Sequence, residues 1–215
     1  HHSAYVVGYT DGTFGPERNM TRSEAAAIFA RLLADKNGDN ISPVAKTKFS
    51  DVPAHAWYSG YVKYLNNNGV TYGHSKTIFA PDEQITRAEF TTMAVRFFDV
   101  YGDGDAEIME QFKSFDDVSD GYWAAEYIKA AAKHGWITGY GDGSFRADRQ
   151  ITRAEVVTIV NRLLGREADL DYVSDNLRKL NTFPDVSRRY WAYSDILEAA
   201  NTHNAILGTE ESWYK

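Results

Sequence analysis

Thr152-Arg153-Ala154-Glu155 reads as the start of a helix, and the same pattern stands at Thr21-Arg22-Ser23-Glu24 and Thr86-Arg87-Ala88-Glu89. Thr is a favoured helix N-cap, and a Glu three residues later reaches back to the cap's own N–H, completing a capping box. The tetrads begin 65 and 66 residues apart. The residues four, seven, eight and eleven places after each Thr are Ala25, Ile28, Phe29 and Leu32, then Phe90, Met93, Ala94 and Phe97, then Val156, Ile159, Val160 and Leu163. This is one apolar stripe at helical spacing, written three times.

A second motif keeps the same period. Phe49/Asp51/Val52, Phe115/Asp117/Val118 and Phe183/Asp185/Val186 are spaced by 66 and 68 residues, and each Asp is followed six residues later by a Trp: Trp57, Trp123 and Trp191. Each Trp is read as opening a further helix, whose buried face carries Val62/Leu65, Ile128/Ala131 and Ile196/Ala199. Gly69 and Gly135 read as the stops of the first two of these helices, with Asn204 in that role in the third. Before the tetrads stand Gly8-Tyr9-Thr10-Asp11-Gly12-Thr13-Phe14 and Gly139-Tyr140-Gly141-Asp142-Gly143-Ser144-Phe145. These are tight-turn sequences with short extended flanks. The middle copy departs from them at Tyr72-Gly73-His74-Ser75-Lys76-Thr77-Ile78-Phe79. Three interleaved motifs on one period define a repeat protein. The expected fold is mainly α: three helix-turn-helix repeats.

The chain starts with a turn-plus-tetrad half and ends with a Phe-x-Asp-Val-plus-Trp half. Residues 4–33 are thus the second half of a repeat, 49–98 and 115–164 are complete repeats, and 183–207 is a first half. The linker at 165–182, with Leu170, Val173, Leu177 and Leu180, has the composition to hold an extra helix. An unmatched apolar stripe is costly to expose. The end halves, 4–33 and 183–207, are therefore expected to pair and close a pseudo-threefold bundle.

Composition narrows the function. Of the 215 residues, 43% are hydrophobic and 25% charged, which is ordinary for a folded domain. A net charge of −7 gives no overall electrostatic case for nucleic acid. The absence of Cys excludes thiol catalysis, disulfides and Cys-based zinc sites. The six His show no paired ligand spacing beyond His1-His2. The acidic stretches Asp35-Lys36-Asn37-Gly38-Asp39-Asn40 and Asp103/Asp105/Glu107 stop short of a calcium loop, which ends in a bidentate Glu. No metal and no cofactor is expected. No apolar run approaches the ~18 residues of a membrane helix, and no leader peptide is visible. Trp136 and Trp213 lie outside the repeat pattern and are read as packing or surface positions.

The motifs together resemble the S-layer homology family, over nearly the whole chain outside the linkers. Residues 115–164 fit its Phe-x-Asp-Val, Trp helix, Gly-Tyr-x-Asp-Gly-x-Phe turn and Ile-Thr-Arg-Ala-Glu pattern almost throughout, with Ala147 where the family has Pro. The resemblance implies a three-pronged spindle that holds exported proteins non-covalently on a Gram-positive-type cell wall. The implied ligand is a secondary cell wall polysaccharide, often carrying pyruvate ketals on N-acetylmannosamine, held in grooves between repeats. The recurrent contributors it points to are Arg22, Arg87 and Arg153, Asp51, Asp117 and Asp185, and Trp57, Trp123 and Trp191. A cargo domain is expected outside this chain, and no membrane insertion.

Each of these positions has a plainer alternative. The tetrad Arg stands at a helix N-terminus, where free N–H groups and the dipole favour an anion and the guanidinium fork suits a carboxylate. It can equally pair with a neighbouring acid to lock the fold. The Trp can offer a face to a sugar ring or plug the meeting of two helices. The Asp can accept sugar hydroxyls or cap a turn. The tetrad Thr and Glu are read as caps only. The function expected is a non-catalytic carbohydrate-binding anchor. The alternatives are a protein-interaction or S-layer structural repeat without glycan binding, and a glycosidase, which needs one unique carboxylate pair whereas every motif here is triplicated.

Overall fold

The computed structural model describes residues 1–102, 112, 114–207 and 211–214. The acidic alternation at Asp103, Asp105 and Glu107 lies outside these residues. The tetrads open α1 (Arg22–Asn37), α3 (Arg87–Tyr101) and α5 (Arg153–Leu164). Thr21, Thr86 and Thr152 each form a capping box with both arms in place. All twelve positions of the predicted stripe are buried. At the far ends, Gly38 (φ 69°) and Gly165 (φ 62°) close α1 and α5 in the left-handed conformation, where glycine carries no Cβ penalty.

The Trp-led helices are α2 (Ser59–Asn67), α4 (Ala125–Lys133) and α7 (Tyr193–Ala200). Each begins two residues after its Trp, and its predicted inward residues are buried. Gly69 (φ 76°) and Gly135 (φ 69°) follow the C-caps of α2 and α4, as their spacing predicts. The third stop is a correction: Asn201, not Asn204, ends α7. Asn201 Nδ2 donates to Leu197 O, taking up a carbonyl of the last turn, and Asn204 instead begins a strand.

The chain divides into two compact units, residues 19–151 and residues 1–18 with 152–215. In the first, α1 packs on α2 and α3, and α3 packs on α4. Phe29 lies between Phe90 and Phe97, with ring centres 5.3 and 4.8 Å away. In the second, α5 packs on α7, and the linker forms α6 (Leu170–Asn176) and a 3-10 turn, Leu177–Lys179. A hairpin of β1 (Asn204–Leu207) and β2 (Glu211–Tyr214) follows. Its Trp213 is buried with Ala168, Val173 and Leu197 in a small cluster of its own. Each tetrad helix therefore lies against a Trp helix that follows it in the chain. The sequence repeat, read as Trp helix, turn, tetrad helix, is not the helix-packing unit.

What joins the repeats of residues 19–151 at their centre is a triangle of backbone hydrogen bonds. Met20 N–H donates to Ile151 O (3.0 Å), Ile85 N–H to Met20 O (2.9 Å) and Ile151 N–H to Ile85 O (3.1 Å). The three residues each precede a tetrad Thr, and none is more than 1% exposed.

Candidate functional site

The Phe-x-Asp-Val carboxylates are committed to the turns. Asp51 accepts the N–H groups of Phe79 and Ala80, Asp117 those of Phe145 and Arg146, and Asp185 those of Phe14 and Gly15, at 2.7–3.2 Å. The second residue of each pair has positive φ: 60° at Ala80, 56° at Arg146 and 66° at Gly15. Left-handed backbone at a non-glycine residue persists only when its surroundings hold it; here two charge-assisted bonds do so. The Phe of the same motif packs beneath the turn. A Cβ on Gly8, Gly73 or Gly139 would fall 2.6, 2.3 or 2.4 Å from Cε1 of Phe183, Phe49 or Phe115. The aberrant middle turn keeps one bond of this build, His74 N–H donating to Ile78 O as Tyr9 N–H does to Thr13 O and Tyr140 N–H to Ser144 O, and has Ser75 N–H to Ile78 O where the others have Gly12 N–H to Tyr9 O and Gly143 N–H to Tyr140 O.

Arg22, Arg87 and Arg153 are buried, and each Nε donates to the carbonyl of a turn Phe: Phe79, Phe145 and Phe14, at 2.8–2.9 Å. Each guanidinium also lies over that Phe ring. The helix starts themselves depart from expectation. The first two N–H groups of α1 donate to Glu83 O and Pro81 O, those of α3 to Arg149 O and Ala147 O, and those of α5 to Arg18 O and Pro16 O. The third is taken by the cap Thr. No open nest of N–H groups is left there for an anion, so any anion recognition falls to side chains.

Trp57, Trp123 and Trp191 are 55–58% exposed. They stand in front of their helices rather than plugging the helix contacts. In the unit of residues 19–151 one of them edges a cleft of about 460 Å³. Arg22 and Glu89 form one wall, joined by a 2.8 Å ion pair, with His74 Nδ1 at 4.0 Å from the same carboxylate oxygen. Burial lowers the Arg22 pKa from its ordinary value, opposed by the charges of Glu89, Glu83 and Asp51; a guanidinium keeps its proton regardless. Arg96, also in the lining, lies 4.8 Å from the Tyr72 ring centre and 4.9 Å from that of Tyr127, and donates to Tyr127 Oη. The lining also holds Trp123 and Tyr122, whose hydroxyl donates to Asp148 at 2.7 Å. Burial first, and then this bond, push the Tyr122 pKa up to about 12. The cleft thus offers guanidinium groups to an anion, exposed aromatic faces to a sugar ring, and carboxylates to hydroxyl groups.

The S-layer homology domain pattern matches residues 3–26, 48–91 and 114–157, just over half of the chain. The chain belongs to the S-layer homology family. Among its relatives, Cell surface glycoprotein 1 of Acetivibrio thermocellus is 37% identical over 98% of this chain. The Cellulosome-anchoring protein of the same organism is 37% identical over 94%, and the Surface-layer 125 kDa protein of Lysinibacillus sphaericus is 31% identical over 74%. The chain spans 9%, 43% and 13% of the lengths of these three relatives.

Within the S-layer homology pattern, the cleft brings together Arg22 and Trp123 from the residues singled out by sequence. Asp51, Arg87 and Trp57 are not part of its lining. It adds Glu89, read from sequence as a cap only, and Tyr72, His74, Arg96, Tyr122 and Asp148, which motif reading did not single out for ligand contact. Arg96 was findable: an Arg stands ten residues after every tetrad Thr, at Arg31, Arg96 and Arg162. Arg31 repeats the arrangement, with its guanidinium 5.1 Å over the Tyr61 ring.

Proposed function

We propose that this S-layer homology chain is a non-catalytic anchoring module that holds a larger exported protein on the bacterial cell wall. It does so by binding a secondary cell wall polysaccharide that bears carboxylate groups, with pyruvylated N-acetylmannosamine as the fitting unit. The observation that carries the reading is the cleft of residues 19–151, where Arg22 and Arg96 lie near two aromatic side chains, Tyr72 and Trp123, each more than half exposed. A pyruvate ketal is a carboxylate fixed on a sugar ring. It matches guanidinium groups beside an aromatic face. Family membership and the cell-surface, cellulosome-anchoring and surface-layer names of the relatives support the location at the cell surface.

Arg87 and Arg153 repeat the setting of Arg22, and Trp57 and Trp191 the exposure of Trp123, so we assign them the same work in ligand contact. Asp51, Asp117 and Asp185 serve instead by holding the turns. The test is calorimetric titration of a pyruvylated N-acetylmannosamine glycoside into the chain and into Trp123→Ala and Arg96→Ala. Saturable binding, weakened about tenfold or more by Trp123→Ala, is the expected result, on the scale of the ~1–3 kcal/mol that a base stacked on an aromatic side chain is worth. A folded chain that gives no heat with the glycoside, yet still sediments with wall sacculi stripped of their polymer by hydrofluoric acid, would overturn the glycan reading in favour of peptidoglycan or a wall protein.

A further inference from the structure

In the unit formed by residues 1–18 and 152–215, His2, Glu198 and His203 meet at a place the cleft does not use. Glu198 projects from α7 into the interior, with its side chain 0% exposed. His2 Nδ1 lies 3.2 Å from one of its carboxylate oxygens, and His203 Nε2 lies 3.2 Å from the other. The two imidazoles thus face one oxygen each as its ion-pair partners. A buried carboxylate demands a compensating charge. The other ring nitrogen of His203, Nδ1, is 2.9 Å from Asn201 O, which can only accept, so Nδ1 carries a proton. With Nε2 also protonated, His203 ion-pairs with Glu198; without that proton, the Nε2 lone pair and the carboxylate converge on a place for a cation.

We propose that His2, Glu198 and His203 are the protein ligands of a zinc-type divalent metal site. Two imidazole nitrogens and one carboxylate are a ligand set that zinc takes, with a water in the fourth position. Tetrahedral bonds of about 2.0–2.1 Å place neighbouring ligand atoms about 3.3 Å apart, and each imidazole nitrogen lies 3.2 Å from a different oxygen of Glu198. One ligand atom from each residue lies within 4.8 Å of the others, so small side-chain movements complete the set. The surroundings supply the outer support such sites use. Asn201 O orients His203, and the Trp213 ring stacks on it at 3.8 Å and 18°. Trp213 is itself tied to Asp169 and Glu167. The backbones of His2 and His203 already exchange both hydrogen bonds, at 2.9 and 3.1 Å. The metal adds a clamp between the first residues of the chain and the segment from α7 to the hairpin, and it acts on stability rather than on glycan recognition.

The test starts from the full chain freed of metal with EDTA. Titration with zinc chloride is expected to bind one equivalent and, at a hundredfold excess over the dissociation constant, to raise Tm by about 5–10 °C. Glu198→Gln and His203→Gln should each abolish the tight binding and the rise, while His74→Gln and His134→Gln should leave both intact. Cobalt(II) added to the unaltered chain gives a readout that does not depend on variant folding: the strong visible bands of a four-coordinate ion. Failure to bind saturably, a six-coordinate cobalt spectrum, or binding that survives both Glu198→Gln and His203→Gln would each overturn the site.

Discussion

The carboxylates of Asp51, Asp117 and Asp185 each hold a left-handed turn residue, and their removal should be felt in stability first. Asp51→Ala strips the Phe79 and Ala80 N–H groups of their acceptor, and a charge-assisted bond is worth ~1.5–3 kcal/mol. We expect a loss of about 2–4 kcal/mol in urea denaturation, with a smaller loss for Asp51→Asn. Gly139→Ala should cost a comparable amount, because its Cβ would meet Phe115 at 2.4 Å on a backbone with φ 68°. Tyr122 supplies a pH signature. Its pKa is raised from 10.0 to about 12 in the folded chain, so the folded state keeps a proton that the unfolded state loses. The stabilisation from this group is complete below about pH 10 and drains away between about 10 and 12. The stability difference between the unaltered chain and Tyr122→Phe should shrink across that window and nowhere below it. At this scale the sequence showed which residues matter better than what they touch. The tetrad Arg and its N-terminal position were legible, but the carbonyls that fill the helix start come from residues about 60 or more positions away. His2 and Glu198 likewise stand 196 positions apart, and no local spacing relates them.

The helices were the most legible elements, because a capping box and a 3.6-residue stripe are local signals. Thr152→Ala should remove one arm of the box and cost about 1 kcal/mol, read as a lower urea midpoint with unchanged slope. Their pairing was less legible. Every Trp helix offers much the same apolar face, so the stripe alone does not choose between the preceding and the following tetrad helix. The choice is reinforced by polar hooks such as Arg31 on Tyr61 and Arg96 on Tyr127. In the third copy Asp195 replaces the Tyr, and accepts instead from Thr158 and Asn161 of α5. The hairpin was not legible at all. Four residues, Asn204–Leu207, are too few for an alternating pattern, and what fixes them is Trp213 packed on His203 and on the α6 cluster.

At the scale of the whole chain, the repeats were evident and the way they interlock was not. Residues 49–164 contain two repeats complete by sequence, yet they lack Met20 and all of α1. That fragment is expected to give little helical circular dichroism or to associate in sedimentation; a monomeric, cooperatively folding fragment would contradict this account. The reason lies in the triangle of Met20, Ile85 and Ile151. Each member gives one hydrogen bond and takes one, so none is first and none is last. Removing one strands a buried donor and a buried acceptor, at about 1–3 kcal/mol each, and a fourth would find every N–H of the ring already given. An open solenoid grows or shrinks by one repeat at a time. The ring within residues 19–151 has a fixed number of members instead: it closes at three, so a duplication or deletion of a single repeat has to break one of its bonds first.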